Sequence, residues 1–209
     1  MIHCLFFRGF FVRNYLARSV WIGIGLLSVI VFGAGVSATE HLRFDRVAIE
    51  AGEWWRLLSA HFVHLSSGHL FLNLAALALA AYIASPSASL RLQLLAWGWL
   101  CLVTGVGLFI FADDLYYYVG LSGALHGAML VAIAPSPYYS RKVRLIVVLV
   151  IVVKVIWEQT GFYDDMANSE MVGGRTEARS HMFGAIAGLV WIAVSQSWKY
   201  YERRKSLEN

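Results

Sequence analysis

Six apolar runs alternate along the chain with shorter polar stretches: residues 20–38 (VWIGIGLLSVIVFGAGVSA), 68–84, 92–112, 117–134, 143–157 and 181–198. A helix needs about 20 apolar residues to cross the hydrocarbon core of a bilayer, and somewhat fewer where neighbouring helices shelter it. The pattern therefore predicts six membrane helices, the second and fourth of them short or interrupted by polar residues. The intervening segments 39–67 and 158–180 are polar and long enough to carry local structure of their own. No internal repeat or low-complexity linker divides the sequence. The expected fold class is an all-α polytopic membrane protein, one domain over 1–209 with a six-helix core at about 20–198 and basic tails at 1–19 and 199–209.

Composition changes this picture little and charge orients it. Of 209 residues, 59% are hydrophobic and 14% charged, which is too apolar for an ordinary soluble domain or a disordered protein. The net charge of +4 does not point to nucleic acid, because the positive residues lie between apolar runs rather than along one polar face. With the N-terminus threaded inside, the inner segments carry eleven Lys and Arg and the outer segments five, with Lys154 left inside a span. That bias follows the positive-inside rule and puts both termini in the cytoplasm. Residues 8–38 also resemble a signal peptide, with a basic start and Val-Ser-Ala at 36–38. The apolar stretch is long for a signal and five more runs follow, so it is read as a span. Cys4 and Cys101 lie in different segments and suggest no disulfide framework.

The polar residues inside the runs carry the chemistry, since ionisable groups in a membrane are functional candidates by default. Spans 2, 4 and 6 all run inward from the outer side. His69 and Asn73 lie in the outer turns of the second, Ser122 near the outer end of the fourth, and His181 opens the sixth. Four polar groups from three helices are thus expected at similar depth. Serine becomes a good nucleophile only when a base takes its proton, and neutral imidazole suits that task. No Asp or Glu lies near these residues within the runs, so a Ser122–His181 dyad is expected. Acyl transfer also needs donors for the oxyanion. Asn73, His69 and the backbone N–H of Ser122 are the candidates, and His69 and Asn73 share a helix face at i and i+4. Gly123 with Gly127, and Gly184 with Gly188, form small-xxx-small pairs that let helices approach closely in lipid. If they meet, His181 is turned toward Ser122.

Blander readings stand beside these. A lone Ser in a span usually bonds its own i−4 carbonyl, a lone Asn bonds a neighbouring helix, and G-x-x-x-G pairs occur in helices that catalyse nothing. His61, His64 and His69 lack an H-E-x-x-H pattern, so no metal or cofactor is expected. Lys154 is read as snorkelling outward or pairing with Glu158 at i+4, although its ammonium could also attract a lipid phosphate. His126, at i+4 from Ser122, is a runner-up base. It is assigned a supporting role, packing on or hydrogen bonding to His181 and setting its tautomer.

Together these residues resemble the rhomboid intramembrane serine proteases. GEWWRLLSAHFVHLSSGHLFLNL at 52–74 is similar to that family's Trp-Arg loop (here Trp55-Arg56) followed by H-x-x-x-N (His69–Asn73). GLSG at 120–123 resembles its G-x-S-G, with Gly120 and Gly123 around Ser122. HMFGAIAG at 181–188 resembles H-x-x-G-x-x-x-G, with Gly184 and Gly188. The resemblance implies Ser122 as nucleophile, His181 as general base, His69 and Asn73 in the oxyanion site, and Trp55-Arg56 in a structural loop. It implies cleavage of a substrate's transmembrane segment near the outer face. Rhomboids often carry a tyrosine four residues after the serine, whereas this protein has His126. G-x-S-G-x-L-H resembles the rhombosortase branch, which implies a bacterial inner-membrane enzyme with its site toward the periplasm. Its membrane-anchored substrates would end in a Gly-Gly motif, an apolar span and a basic end. Alternatives are a transpeptidase passing the cleaved C-terminus to a lipid head-group amine, a non-catalytic membrane adaptor that such relatives exemplify when they lose Ser or His, and a small transporter, for which no paired interrupted spans are seen.

Overall fold

The computed structural model describes residues 2–84 and 89–208. Met1 and Asn209, the extremities of the two expected tails, lie outside the described residues. In sequence order the elements are α1 (Ile2–Gly33), α2 (Gly35–Leu42), β1 (Phe44–Asp45), α3 (Arg46–Glu50), α4 (Arg56–Ser59), a 3₁₀ turn (Ala60–Phe62), α5 (Ser67–Ile83), α6 (Leu90–Phe111), β2 (Tyr117–Tyr118), α7 (Ser122–Ile133), α8 (Arg141–Glu158), α9 (Ser169–Val172) and α10 (Ala178–Glu208).

Serines set several helix starts. Ser66, Ser89 and Ser140 sit in extended backbone before α5, α6 and α8, and each hydroxyl accepts from the N–H three residues on. This satisfies a donor that the first turn leaves without an intrahelical partner. The far end of α6 is closed differently. The buried Arg46 guanidinium donates to the carbonyls of Leu108, Phe109 and Ala112, and also to that of Leu115. A cation at a helix C-terminus satisfies orphan acceptors and complements the dipole.

The protein is a helical membrane bundle. Ile30, Phe71, Leu149, Val153 and Val194 are among many large apolar side chains left exposed, a surface that water would penalise and lipid tails accept. By length and composition, two described helices suffice to cross a bilayer, 90–111 and 178–206. There are four if each bent pair is one crossing, 18–33 with 35–42 bent by 116° and 56–62 with 67–83 bent by 94°. The first run thus does not continue straight to 38. It breaks at Ala34, before Gly35 at φ +78°. The fourth run is helical only from Ser122, because 117–118 pair with β1 and Gly120 has φ +117°. The fifth forms α8 but carries Arg141, Lys142, Arg144, Lys154 and Glu158. Both expected tails are helical extensions, of α1 and α10, rather than separate segments.

Both polar segments have the local structure expected of them. The first holds α3, α4, the 3₁₀ turn and a two-residue antiparallel bridge pairing Phe44 with Tyr118. The second holds α9. The central core joins α1, α5, α6, α7 and α10 through Trp21, Leu77, Leu100, Leu121, Ala124 and Ala187.

Candidate active site

Helices α7 and α10 meet backbone to backbone. A Cβ added at Gly184 would collide with the Gly123 carbonyl oxygen, one at Gly127 with that of Gly184, and one at Gly188 would lie 2.7 Å from that of Gly127. No larger residue fits these positions without pushing the helices apart. The glycine pairs singled out in the sequence are therefore the surfaces on which the two helices touch. This contact sets His181, in the first turns of α10, beside Ser122, the first residue of α7.

The segment preceding Ser122 is held from several sides. The Gly120 N–H donates to the Ala60 carbonyl at 3.0 Å, the Tyr118 hydroxyl to the Gly120 carbonyl at 2.7 Å, and Arg46 N–H to the Tyr116 carbonyl at 3.0 Å. Glycine is required at 120 twice over, by its positive φ and because a Cβ would lie 2.7 Å from the His69 ring. His61 is fully buried, within 2.9 Å of the Cys101 carbonyl through Nε2 and edge-on to Tyr118. His61 thus ties the loop to α6, while His64 Nδ1 lies 3.2 Å from the Phe62 carbonyl and its ring is edge-on to His69. Arg56 is buried and donates to the carbonyls of Glu40 and Arg43 and to the Glu53 carboxylate, while its neighbour Trp55 is exposed. The Trp-Arg pair is split between an internal tie and an outward-facing ring.

At the centre, His181 Nε2 lies 3.0 Å from Ser122 Oγ. Its other nitrogen, Nδ1, lies 2.9 Å from Glu158 Oε2. The expectation of a site without a nearby acid is therefore corrected. Glu158, the last residue of α8, is buried against the imidazole. A carboxylate only accepts, so Nδ1 carries the proton and Nε2 presents its lone pair to the serine O–H. Glu158 thereby also sets the His181 tautomer, a role that the sequence suggested for His126. The start of α10 is held nearby. Gln159 Nε2 donates to the Ala178 carbonyl at 3.0 Å, and the Arg179 side chain bridges Glu177 to Asp114.

His126 stacks on His181 with ring centroids 4.2 Å apart and an interplanar angle of 26°, so packing is the contact it makes with that ring. Its Nδ1 lies 2.8 Å from the Ser122 carbonyl oxygen and its Nε2 3.0 Å from Lys154 Nζ. Both nitrogens are engaged away from Ser122 Oγ, which leaves His181 as the ring facing the hydroxyl. Lys154 also pairs with Glu158 Oε1 at 2.5 Å, the i+4 pairing anticipated from the sequence. Ligand atoms of His126, Glu158 and His181 lie within 4.8 Å of one another. A metal ion there would have to displace the Lys154 ammonium, which already occupies the His126 and Glu158 acceptors.

His69 is buried on α5 with its ring against Gly120, two residues before the serine. Asn73 is buried one turn further along, and its Nδ2 donates to the His69 carbonyl at 3.2 Å. It therefore bonds within its own helix and not across to a neighbour, with a second N–H on the same amide nitrogen. The first-turn N–H groups of α7, Ser122 among them, find no acceptor inside the helix, as at any helix N-terminus.

A family model described as Rhomboid domain matches residues 51–197, which takes in every one of these side chains. None of the curated proteins matches this one.

Proposed function

The protein belongs to the rhomboid family, and from that premise we propose that it is an intramembrane serine endopeptidase in which Ser122 attacks, His181 takes its proton and Glu158 orients His181. The observation that carries this reading is the unbroken line from Ser122 Oγ to His181 Nε2 and from His181 Nδ1 to Glu158 Oε2, at 3.0 and 2.9 Å. As Ser122 Oγ forms its bond to the scissile carbonyl carbon, its proton passes to His181 Nε2. The imidazolium so formed is stabilised by the carboxylate at Nδ1 and then delivers the proton to the leaving amine. The oxyanion faces the positive end of the α7 dipole and the Ser122 N–H. The His69 ring at Gly120 and the Asn73 amide are the side-chain donors assigned to the same charge.

The depth of the site follows from the length of α7. Its 12 residues span about 18 Å, against about 30 Å of hydrocarbon. Six crossing segments with both termini in the cytoplasm then put α7 in the inner part of the bilayer and sink Ser122 below the outer face. Non-helical backbone is tolerated at that depth only when protein covers it or it lines a cavity. The bonded segment at 117–121, with Tyr118 and Leu121 buried, meets that condition.

The substrate is a membrane-anchored protein. His126 in place of the family's frequent tyrosine, within GLSGALH at 120–126, favours the rhombosortase branch. Substrates assigned on that basis carry C-terminal tails with a glycine pair, an apolar span and a basic end, cleaved on the periplasmic side of a bacterial inner membrane. The adaptor reading is disfavoured by the intact Ser122–His181 contact. The test is covalent: a fluorophosphonate should label purified protein on Ser122. An adduct on another residue, or none with the protein folded, would sink the assignment.

A further inference from the structure

If Ser122, His181 and Glu158 form the catalytic set, as proposed above, two side chains against them still lack a role, His126 and Lys154. Their contacts define each other. His126 Nδ1 faces the Ser122 carbonyl oxygen at 2.8 Å, and a carbonyl only accepts, so Nδ1 carries the ring proton. His126 Nε2 faces Lys154 Nζ at 3.0 Å, and an ammonium only donates, so Nε2 offers a lone pair. Both contacts demand the same neutral tautomer. Lys154 spends a second N–H on Glu158 Oε1, and Glu158 Oε2 accepts from His181 Nδ1. Three helices thus close one circuit. From Ser122 Oγ it runs through His181 and Glu158 to Lys154, and returns through His126 to the carbonyl of Ser122 itself.

We propose that Lys154 is a positioning residue of this site, whose ammonium holds Glu158 as an oriented carboxylate and, through His126, ties the nucleophile's own backbone into the same network. The physical need is plain. The Glu158 side chain is 4% exposed, and a carboxylate buried without a countercharge reverts to the neutral acid. A neutral Glu158 would present O–H to His181 Nδ1 and move the imidazole proton to Nε2. That nitrogen would then donate toward Ser122 Oγ and could no longer receive its proton. Lys154 itself is half exposed at 49%, so its charge is far less buried than the carboxylate it faces. The neutral His126 face stacked on His181 completes the seat, because a protonated ring there would set N–H against the ammonium.

The test uses the full-length protein in nanodiscs and the fluorophosphonate inactivation of Ser122, resolved into its maximal rate and its half-saturating concentration. K154M should lower the maximal rate on the order of 10²-fold, the scale of a lost general base, and leave half-saturation unchanged. K154R should restore most of it. K154M/E158Q should react no more slowly than E158Q alone, because Lys154 acts through Glu158 and coupled residues are not additive. Removing both charges together also leaves neither buried unpaired, so this variant and K154R carry the test if K154M alone does not fold. A wild-type rate in K154M, losses that multiply in the double variant, or K154R no faster than K154M would overturn the inference. Absence of wild-type labelling at Ser122 would instead defeat the protease reading on which it rests.

Discussion

At the scale of single residues, the site asks for three different losses. H181A should abolish turnover, since among the described residues no other ring is bonded to Ser122 Oγ. E158Q should lower kcat by roughly 10²–10⁴-fold with little change in KM, because an amide can donate to Nδ1 and install the wrong tautomer, as triad carboxamide variants do. H126Y should retain measurable activity, because it keeps an aromatic face against His181 while losing the contacts to Lys154 and the Ser122 carbonyl. Steady-state cleavage of one transmembrane substrate by all three measures the order. H126Y as inactive as H181A would contradict it. Ser122 and His181 are legible from sequence because a hydroxyl and an imidazole are costly in apolar runs. Glu158 is not. The fifth apolar run stops at 157, one residue short, and the i+4 relation to Lys154 accounts for Glu158 without sending it to another helix. Sequence spacing reports neighbours along one helix, whereas the contact of 158 with 181 belongs to a crossing between two. The pairing of Lys154 is legible for the same reason, yet its second contact, to His126, comes from a third helix and is equally out of reach.

At the scale of elements, the α7–α10 interface holds nucleophile and base in register, and it tolerates no added volume. G184V should destabilise the protein by about 1–3 kcal/mol or more, the cost of overpacking a tight contact, and should lower activity beyond the fraction unfolded. Thermal unfolding in detergent beside the labelling rate of the folded fraction checks both, and a stable, fully active G184V would contradict the geometry. This interface is readable, because glycines spaced by four mark one helix face. The strand before Ser122 is not. Residues 117–121 are apolar enough to pass for helix. What keeps them out of α7 is pairing of Tyr118 with Phe44, an acceptor at Ala60 and the His69 ring against Gly120, all from distant sequence. The break at Ala34 is hidden for a similar reason: the run stays apolar through Gly33 and Gly35 while the backbone turns by 116°.

At the scale of the whole molecule, the helical bundle and its family are legible from run lengths and three motifs, while the number of crossings is where hydropathy and geometry part. A short α7 and a charged α8 fall below the length or composition of a free-standing span; α7 is sheltered by its neighbours in the bundle, whereas α8 buries only Ile151, Val155 and Glu158. The proposed topology predicts that, with Cys4 and Cys101 replaced, an impermeant maleimide will label D165C in intact cells and S206C only after lysis. The opposite pattern would invert the orientation and move the site to the cytoplasmic side. The central claim, that Ser122 cleaves a peptide bond of a membrane-embedded substrate, is tested most directly in proteoliposomes. They would hold the purified protein and a reporter bearing a Gly-Gly, apolar and basic tail, with both product termini read by intact-mass spectrometry. The wild type should yield one new C-terminus at the tail and a complementary anchor fragment, and S122A should yield neither. Equal cleavage by S122A, or an uncut substrate beside protein whose Ser122 is labelled by fluorophosphonate, would contradict the account.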